Sequence, residues 1–303
     1  MRVLQSAVRL KPVDVLTSAF AALLCLAGLL RWSAVTNRGA VALIATVGLL
    51  PLFVGWLRAR VPQPGRALSI FFDFYIIACV VVIFDNLGPL IRGVNPVDRD
   101  AWLIAFDRSL FRTDPTIALE RFATPFLSDV LTVCYALYYF HPIVLGAIVY
   151  VDEKKGRSRE FARYAFTMVF VFFVSYAGYF MLPAIGPRYT IRHHSPLPRG
   201  AVATAIDDTL DKLEKNKRDC FPSGHTMVVV AVLMEAGRRS RKTFLWFLPF
   251  ALGLIAATVY CRYHYVADVL AGLLLVFPAV FLGNAIYRWL EKGDRTAGER
   301  TAA

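Results

Sequence analysis

Apolar residues fall into eight long runs, at residues 15–30, 40–57, 68–90, 130–151, 161–182, 221–236, 243–259 and 265–290, separated by polar and mostly basic segments. A helix needs about 20 apolar residues to cross about 30 Å of hydrocarbon, and most of these runs approach that length. In lipid a lone backbone segment satisfies its own polar groups only as a helix. The pattern therefore predicts an all-α fold, a polytopic membrane helix bundle of about eight spans. The first run has no clear small-residue cleavage site and a second follows closely, so it reads as a span and not as a signal peptide. Residues 291–303 are polar and read as an unstructured cytoplasmic tail. Outside the runs, Trp102, Leu103, Phe106, Leu110 and Phe111 recur at helical spacing with Asp100, Asp107 and Arg108 between them. This spacing predicts an amphipathic helix lying on the membrane surface.

Composition supports the membrane reading. Hydrophobic residues make up 57% of the chain and charged residues 18%, below the roughly 25% of soluble domains. The mean hydropathy is +0.52. The net charge of +12 would point to nucleic acid in a soluble domain. Here the basic residues sit in short loops and at the chain ends, which is a topology signal, so no nucleic-acid partner is expected. Arg2, Arg9 and Lys11, then Arg58, Arg60 and Arg66, then residues 154–163, then Arg238, Arg239, Arg241 and Lys242, then Arg288, Lys292, Arg295 and Arg300 all fall on one side of an eight-span bundle. Both termini are then cytoplasmic. Segments 92–129 and 183–220 face outward, and an inner membrane of a bacterium fits the short loops. Five cysteines are too few and too scattered for a disulfide framework. Cys220 and Cys261 each precede a chemically rich motif and are expected as free thiols.

Three clusters fall at span ends on that outer side. Gly186-Pro187-Arg188-Tyr189 follows the fifth span, Phe221-Pro222-Ser223-Gly224-His225 opens the sixth, and Arg262-Tyr263-His264-Tyr265-Val266-Ala267-Asp268 opens the eighth. Loop charge alone brings them to one interface. Phosphate-ester chemistry needs a nucleophile at phosphorus, a proton for the leaving alkoxide, and cations or N–H donors on the oxygens. His264 and Asp268 are four residues apart and share a helix face, so Asp268 can fix the imidazole tautomer. Ser223 and Gly224 open a helix whose free N–H groups suit an anion, with His225 beside them as an acid. Arg188 and Arg262 supply guanidinium groups.

At these residues the chain resembles the type 2 phosphatidic acid phosphatase superfamily. Pro222-Ser223-Gly224-His225 matches its second signature in full, and His264 and Asp268 match the histidine and aspartate of its third. The resemblance covers roughly residues 68–290, where six spans would form the family core, with residues 1–67 adding two N-terminal spans. It implies that His264 is the nucleophile of a phosphohistidine, that Asp268 orients it, and that His225 protonates the leaving oxygen. Arg188, Arg262, Ser223 and the Gly224 amide would bind phosphate, with no metal or other cofactor. Two positions depart from the pattern. Met181 stands where the first signature has lysine, and Thr258 where the third has arginine. Lys212, Lys215, Lys217 and Arg218 are candidate replacements.

The departures resemble the inositol phosphorylceramide synthase and inositolphosphotransferase-like branch. Its third signature reads as His264-Tyr265-Val266-Ala267-Asp268 followed by Gly272, and Asp107-Arg108-Ser109-Leu110-Phe111 is similar to its segment before the core. That branch moves a phosphorylated alcohol between lipids. The expected activity is therefore a lipid phosphatase or phosphotransferase, with a membrane lipid substrate and water, a lipid or a polyol hydroxyl as acceptor. Two other readings compete. A non-enzymatic lipid-binding protein would keep the fold without chemistry. A transporter would use Asp73, Asp85 and His141, the ionisable residues inside spans, as a relay. His193 and His194 read as solvated loop residues.

Overall fold

The computed structural model describes residues 8–156, 160–213 and 216–302, without the side chains of residues 210–213 and 293–302. It is helical throughout, and no strand occurs among the described residues. The long helices are α1 (Pro12–Leu30), α2 (Arg38–Arg60), α3 (Arg66–Asp85), α4 (Leu87–Val94), α5 (Asp100–Phe111), α6 (Pro125–Ala136), α7 (His141–Lys154), α8 (Phe161–Met181), α9 (Ala201–Leu213), α10 (Gly224–Arg239), α11 (Arg241–Tyr260) and α12 (Val266–Ala302). Helix starts carry ordinary signals. Pro12 opens α1 with Asp14 accepting from the Lys11 N–H at 2.8 Å. Thr124 caps α6 through the Leu127 N–H at 3.2 Å, and Ser240 caps α11 through the Thr243 N–H at 3.0 Å.

Six helices are long and apolar enough to cross a membrane: α1, α2, α3, α8, α11 and α12 up to Lys292. A seventh crossing arises if α6 with its 3₁₀ extension to Tyr139 and α7 are taken together across a 48° bend. This is the expected run at 130–151, broken because Pro142 has no N–H for the helix ladder. His141 turns its Nδ1 onto the Leu137 carbonyl at 2.7 Å, across the bend. The run at 68–90 is likewise two helices, interrupted at Asn86, whose side-chain amide bonds the Val82 carbonyl at 2.8 Å.

The remaining expected run, 221–236, is α10. Its 16 residues rise about 24 Å, short of a bilayer core. It sits inside the bundle, packed on α7, α8, α11 and α12, and buries Met227, Val228, Val229, Ala231 and Val232. Neighbouring helices rather than lipid surround it, so the length rule for a lipid-facing helix does not bind it. The chain still passes along it from one end of the bundle to the other. The expected unstructured tail is also different, because α12 continues through it to Ala302. Residues such as Glu291, Lys292, Arg295 and Ala297 are good helix formers.

The two ends of the bundle differ in charge. One end gathers ion pairs: Lys11 with Asp73, Arg58 with Asp14, Arg163 with Glu235, and Arg239 with Asp152. Arg163 also donates to Asn284 Oδ1 at 2.8 Å, which ties α8, α10 and α12 together. The starts of α10 and α12 and the end of α8 lie at the opposite end. Helices α1 and α2 pack against each other and onto α3, α4 and α8, with Phe20 stacked on Phe173 at 4.2 Å between ring centres. Of the basic residues named above, Arg2, Arg157 and Arg159 lie outside the described residues, as do the side chains of Arg295 and Arg300.

The Arg58–Asp14 pair is buried, and both partners are further bonded. Arg58 also donates to the Phe72 carbonyl at 2.7 Å, and the Tyr75 hydroxyl donates to Asp14. Removing one member of such a pair strands a buried charge. Arg58→Met should therefore destabilise the protein by about 3–5 kcal/mol, while Arg58→Met with Asp14→Leu should recover most of the loss. Thermal unfolding in detergent measures both.

Candidate active site

The site forms where three chain segments converge, at the end of the bundle opposite the Arg58–Asp14 and Arg163–Glu235 pairs. The first is the start of α10. Ser223 is its cap: the hydroxyl oxygen accepts from the Thr226 N–H at 3.3 Å and from the Thr226 hydroxyl at 3.0 Å. Gly224 is buried as the first helical residue. His225 follows, half-buried, its ring held between Tyr135 at 4.7 Å and Tyr138 at 4.2 Å.

The second segment joins α11 to α12. Arg262 has a φ of +66°, which reverses the chain. The N–H groups of Tyr263 and His264 then both donate to the Thr258 carbonyl, at 3.0 and 2.9 Å. Thr258 is itself fully buried in α11. His264 stands two residues before α12, which begins at Val266, so the pair does not share a helix face as the spacing predicts; Asp268 in the first turn reaches back to it instead, with Oδ2 3.4 Å from His264 Nδ1. Gly272, one turn further, is where α12 passes closest to α10. A Cβ there would stand 2.8 Å from the Ser223 carbonyl oxygen.

The third segment is the loop after α8. Gly186 has a φ of +92°, open to glycine, and a side chain there would meet the Tyr263 carbonyl at 2.7 Å. This contact lets the Arg188 N–H donate to the Arg262 carbonyl at 2.9 Å and joins the two arginine-bearing turns. Met181 is 79% exposed on the outer wall of α8 and does not approach the site.

The two histidines meet. His225 Nδ1 lies 3.1 Å from His264 Nε2. The other nitrogen of His264, Nδ1, is 2.9 Å from the Cys220 carbonyl oxygen and 3.4 Å from Asp268 Oδ2. A carbonyl only accepts, so Nδ1 carries the proton and Nε2 presents a lone pair. Asp268 Oδ2 accepts from the Tyr265 N–H at 2.8 Å and from the Cys220 thiol at 2.7 Å. The carboxylate thus stands beside the imidazole, while the backbone oxygen of Cys220 is its nearer partner. Burial and the Asp268 charge push the Cys220 thiol well above its ordinary value and keep it a donor. His225 Nε2 has no hydrogen-bond partner among the described residues.

Cys220, His264 and Asp268 also bring three potential metal ligands within 4.8 Å of one another. The sulfur-to-oxygen distance of 2.7 Å is a hydrogen bond. Tetrahedral zinc would hold the two atoms about 3.5 Å apart.

These groups open onto a cleft of about 510 Å³, lined among others by Arg188, Tyr189, Lys217, Asp219, His225 and His264. Arg188 lies over the Tyr263 ring at 5.7 Å. Arg262 borders the cleft too, but its guanidinium is turned to Glu120 at 3.2 Å and the Ser195 carbonyl at 3.0 Å. Of the candidate loop cations, Lys217 reaches the cleft and donates to the Tyr189 hydroxyl at 3.1 Å, while Arg218 is held by Asp98 at 2.9 Å. Lys215 lies outside the described residues, as does the side chain of Lys212.

Several polar residues have other partners. His193 meets the Thr116 hydroxyl at 3.1 Å and His194 meets Glu120 at 3.2 Å. Cys220 and Cys261 are free thiols, the latter 3.8 Å from the Thr132 hydroxyl. Asp73 is paired with Lys11 at the far end, and His141 bonds across its helix bend, and neither lines the cleft with His225 and His264.

Three acids at the site are given no role by the sequence, although Asp107 opens the segment Asp107-Arg108-Ser109-Leu110-Phe111. Asp219 lies against the cleft, and burial raises its carboxyl to about 6, with the nearby His264 opposing. Its only sequence signal is its place directly before Cys220. Asp100 accepts from the Ile185 and Gly186 N–H groups, at 3.1 and 2.9 Å, and from the Tyr265 hydroxyl at 2.8 Å. Asp107 accepts from the Val266 and Ala267 N–H groups at 2.9 and 2.8 Å and so caps α12 from another helix. Their seven-residue spacing places both on one face of α5 with Leu103, but the sequence reads that face as solvated.

Gly272→Ala should disturb Ser223 and the α10 start directly. We expect a lower melting temperature and a loss of at least tenfold in activity, whereas Gly65→Ala, in open space, should change neither. Unfolding curves and initial rates measured side by side check this.

Comparison with known proteins matches the same region. Residues 101–282, more than half of the chain, match the model of the PAP2 superfamily. A phosphoinositol dihydroceramide synthase of Bacteroides thetaiotaomicron is 27% identical over 202 residues, covering 59% of this chain and 65% of that protein. No solved structure matches. Both histidine-bearing turns, the Arg188 loop and Asp107 fall inside the matched region, and the chain belongs to the PAP2 superfamily of membrane lipid phosphatases and phosphotransferases.

Proposed function

We propose that the protein transfers the phosphate-bearing head group of a membrane lipid through a phosphohistidine on His264, at the outer face of the membrane. The observation that carries this reading is the tautomer of His264. Its Nδ1 proton is committed to the Cys220 carbonyl, so the Nε2 lone pair faces His225 and the cleft. The basic ends of the bundle belong on the cytoplasmic side, which puts both termini inside and the cleft outside.

The chemistry balances in two steps. His264 Nε2 attacks phosphorus, the bond from phosphorus to the lipid oxygen breaks, and His225 gives that oxygen a proton. An acceptor hydroxyl then returns a proton to His225 and attacks phosphorus, and the phosphorus–nitrogen bond breaks. Arg188, with the Ser223 hydroxyl and the Gly224 N–H, balances charge on the phosphoryl oxygens. Arg262, engaged by Glu120, holds the turn. Asp268 stabilises the imidazolium character that develops on His264. None of these steps uses a metal.

Hydrolysis and transfer share this machinery and differ in the acceptor. The Bacteroides relative is named for joining phosphoinositol to dihydroceramide, which favours transfer to a lipid or polyol hydroxyl. Aromatic walls from Tyr135, Tyr189 and Tyr263 suit an acceptor with an apolar body better than bulk water.

Purified protein should move label from a phosphate-labelled lipid into a new lipid when an alcohol acceptor is present. It should also leave an acid-labile, base-stable label on the chain after a quench. His264→Ala should abolish both, by about 10⁴-fold or more. If every lipid donor stays intact with and without acceptors, the protein binds lipid without turning it over.

The Asp219 carboxyl, raised to about 6, is neutral below that pH and charged above it. A negative charge in the cleft opposes a phosphate. KM should therefore rise severalfold as pH climbs through about 6, and Asp219→Asn should flatten that rise. Rates across pH 5–8 at varied lipid mole fraction test it.

A further inference from the structure

Helix α5 is built opposite to a helix in water. Its inward face carries Asp100, Leu103 and Asp107, and its outward face carries Trp102, Phe106 and Leu110. Trp102 is 58% exposed and Leu110 54%. An arrangement with acids inside and aromatics outside gains free energy only where the surroundings are less polar than water. Exposed arginines flank the helix: Arg99 and Arg112 at its ends, and Arg108, which forks onto Asp114 with two bonds of 2.8 Å. Aromatics at the middle and cations at the rim match the boundary between acyl chains and anionic head groups.

Among the described residues, the inward acids do not pair with cations. Each holds backbone N–H groups of a different catalytic turn. Asp100 fixes Ile185 and Gly186, next to Arg188, and also the Tyr265 hydroxyl. Asp107 fixes Val266 and Ala267, immediately after His264 and before Asp268. Seven residues of one rigid helix therefore set the distance between the phosphate-binding loop and the nucleophile-bearing turn.

We propose that α5 is seated in the outer-leaflet interface and that Asp100 and Asp107 are positioning residues, through which contact with lipid holds the Arg188 loop and the His264 turn in their working register. This rests on the reading above that the cleft faces outward. It goes beyond that reading by making the geometry of the site depend on the bilayer.

The test uses the full chain in vesicles of phosphatidylcholine and phosphatidylglycerol, and reads ligand binding without turnover, with orthovanadate as the phosphoryl probe. The signal lost in Trp102→Phe isolates the fluorescence of Trp102, which should be quenched more by lipids brominated near the head group than by those brominated near the chain end. Phe106→Ser with Leu110→Ser touches no residue of the cleft. It should weaken orthovanadate binding about tenfold and reduce the Trp102 quenching, with the melting temperature held within a few degrees. Asp107→Ala should weaken binding at least as much. Asp107→Asn keeps one acceptor oxygen and should fall between it and the wild type.

An absence of Trp102-specific quenching overturns the proposal. So does wild-type affinity in either the double serine variant or Asp107→Ala. If Asp107→Ala does not fold, Asp107→Asn and the double serine variant decide. Failure of the wild type to turn over any lipid would sink the phosphotransfer reading, whereas these binding and quenching results would stand on their own.

Discussion

The contact on which the site depends is a single hydrogen bond from a side chain to the backbone, from His264 Nδ1 to the Cys220 carbonyl at 2.9 Å. It fixes which nitrogen of the His264 imidazole carries the lone pair. The bond exists only because the loop before α10 is folded against the start of α12, and that approach has its own requirements. The Ser223 N–H must reach the Asp268 carbonyl, at 3.1 Å, and Gly272 must leave room for Ser223. Sequence, packing and chemistry meet in those few residues.

Electrostatics divide the bundle into two ends with different tasks. At one end, opposite charges are matched within a few ångströms and lock helices together. At the other, ion pairs such as Arg262–Glu120 and Arg218–Asp98 stand alongside carboxylates that hold backbone groups, so that loops are fixed as well as helices. Asp100, Asp107 and Asp268 each accept from main-chain N–H groups. Carboxylates used this way add geometric specificity as well as strength, because they bond two donors at once. Catalytic loops need that precision more than global stability.

Much of this was legible in the sequence, for physical reasons. Hydropathy reports lipid exposure, so helices that face lipid were visible with nearly their observed limits. Run 221–236 also read as a span, but α10 is apolar because it is enclosed, and hydropathy cannot separate the two environments. The break at His141 needed Pro142, which was visible, and its angle, which was not. In the site, His225, His264 and Asp268 were identifiable from the Pro222-Ser223-Gly224-His225 run and the four-residue step from His264 to Asp268, although His264 precedes α12 instead of lying within it. The engagement of Arg262 by Glu120, 142 residues away in sequence, depends on a tertiary contact that no local pattern encodes. The inward acids of α5 were misread for a related reason: the rule that acids face out assumes water outside.

The Arg58–Asp14 pair has a consequence for how the chain is made. Asp14 and Arg58 sit at adjoining ends of α1 and α2, so both are present once the first hairpin has been synthesised. An arginine inside or beside hydrocarbon is costly alone. Here its counter-charge has already left the ribosome, and the buried pair can enter the bundle neutralised before α3 supplies Tyr75 and the Phe72 carbonyl. The order of synthesis matches the order in which these two charges need each other, so the first two helices form a platform whose buried arginine is already matched when the later helices are laid on it.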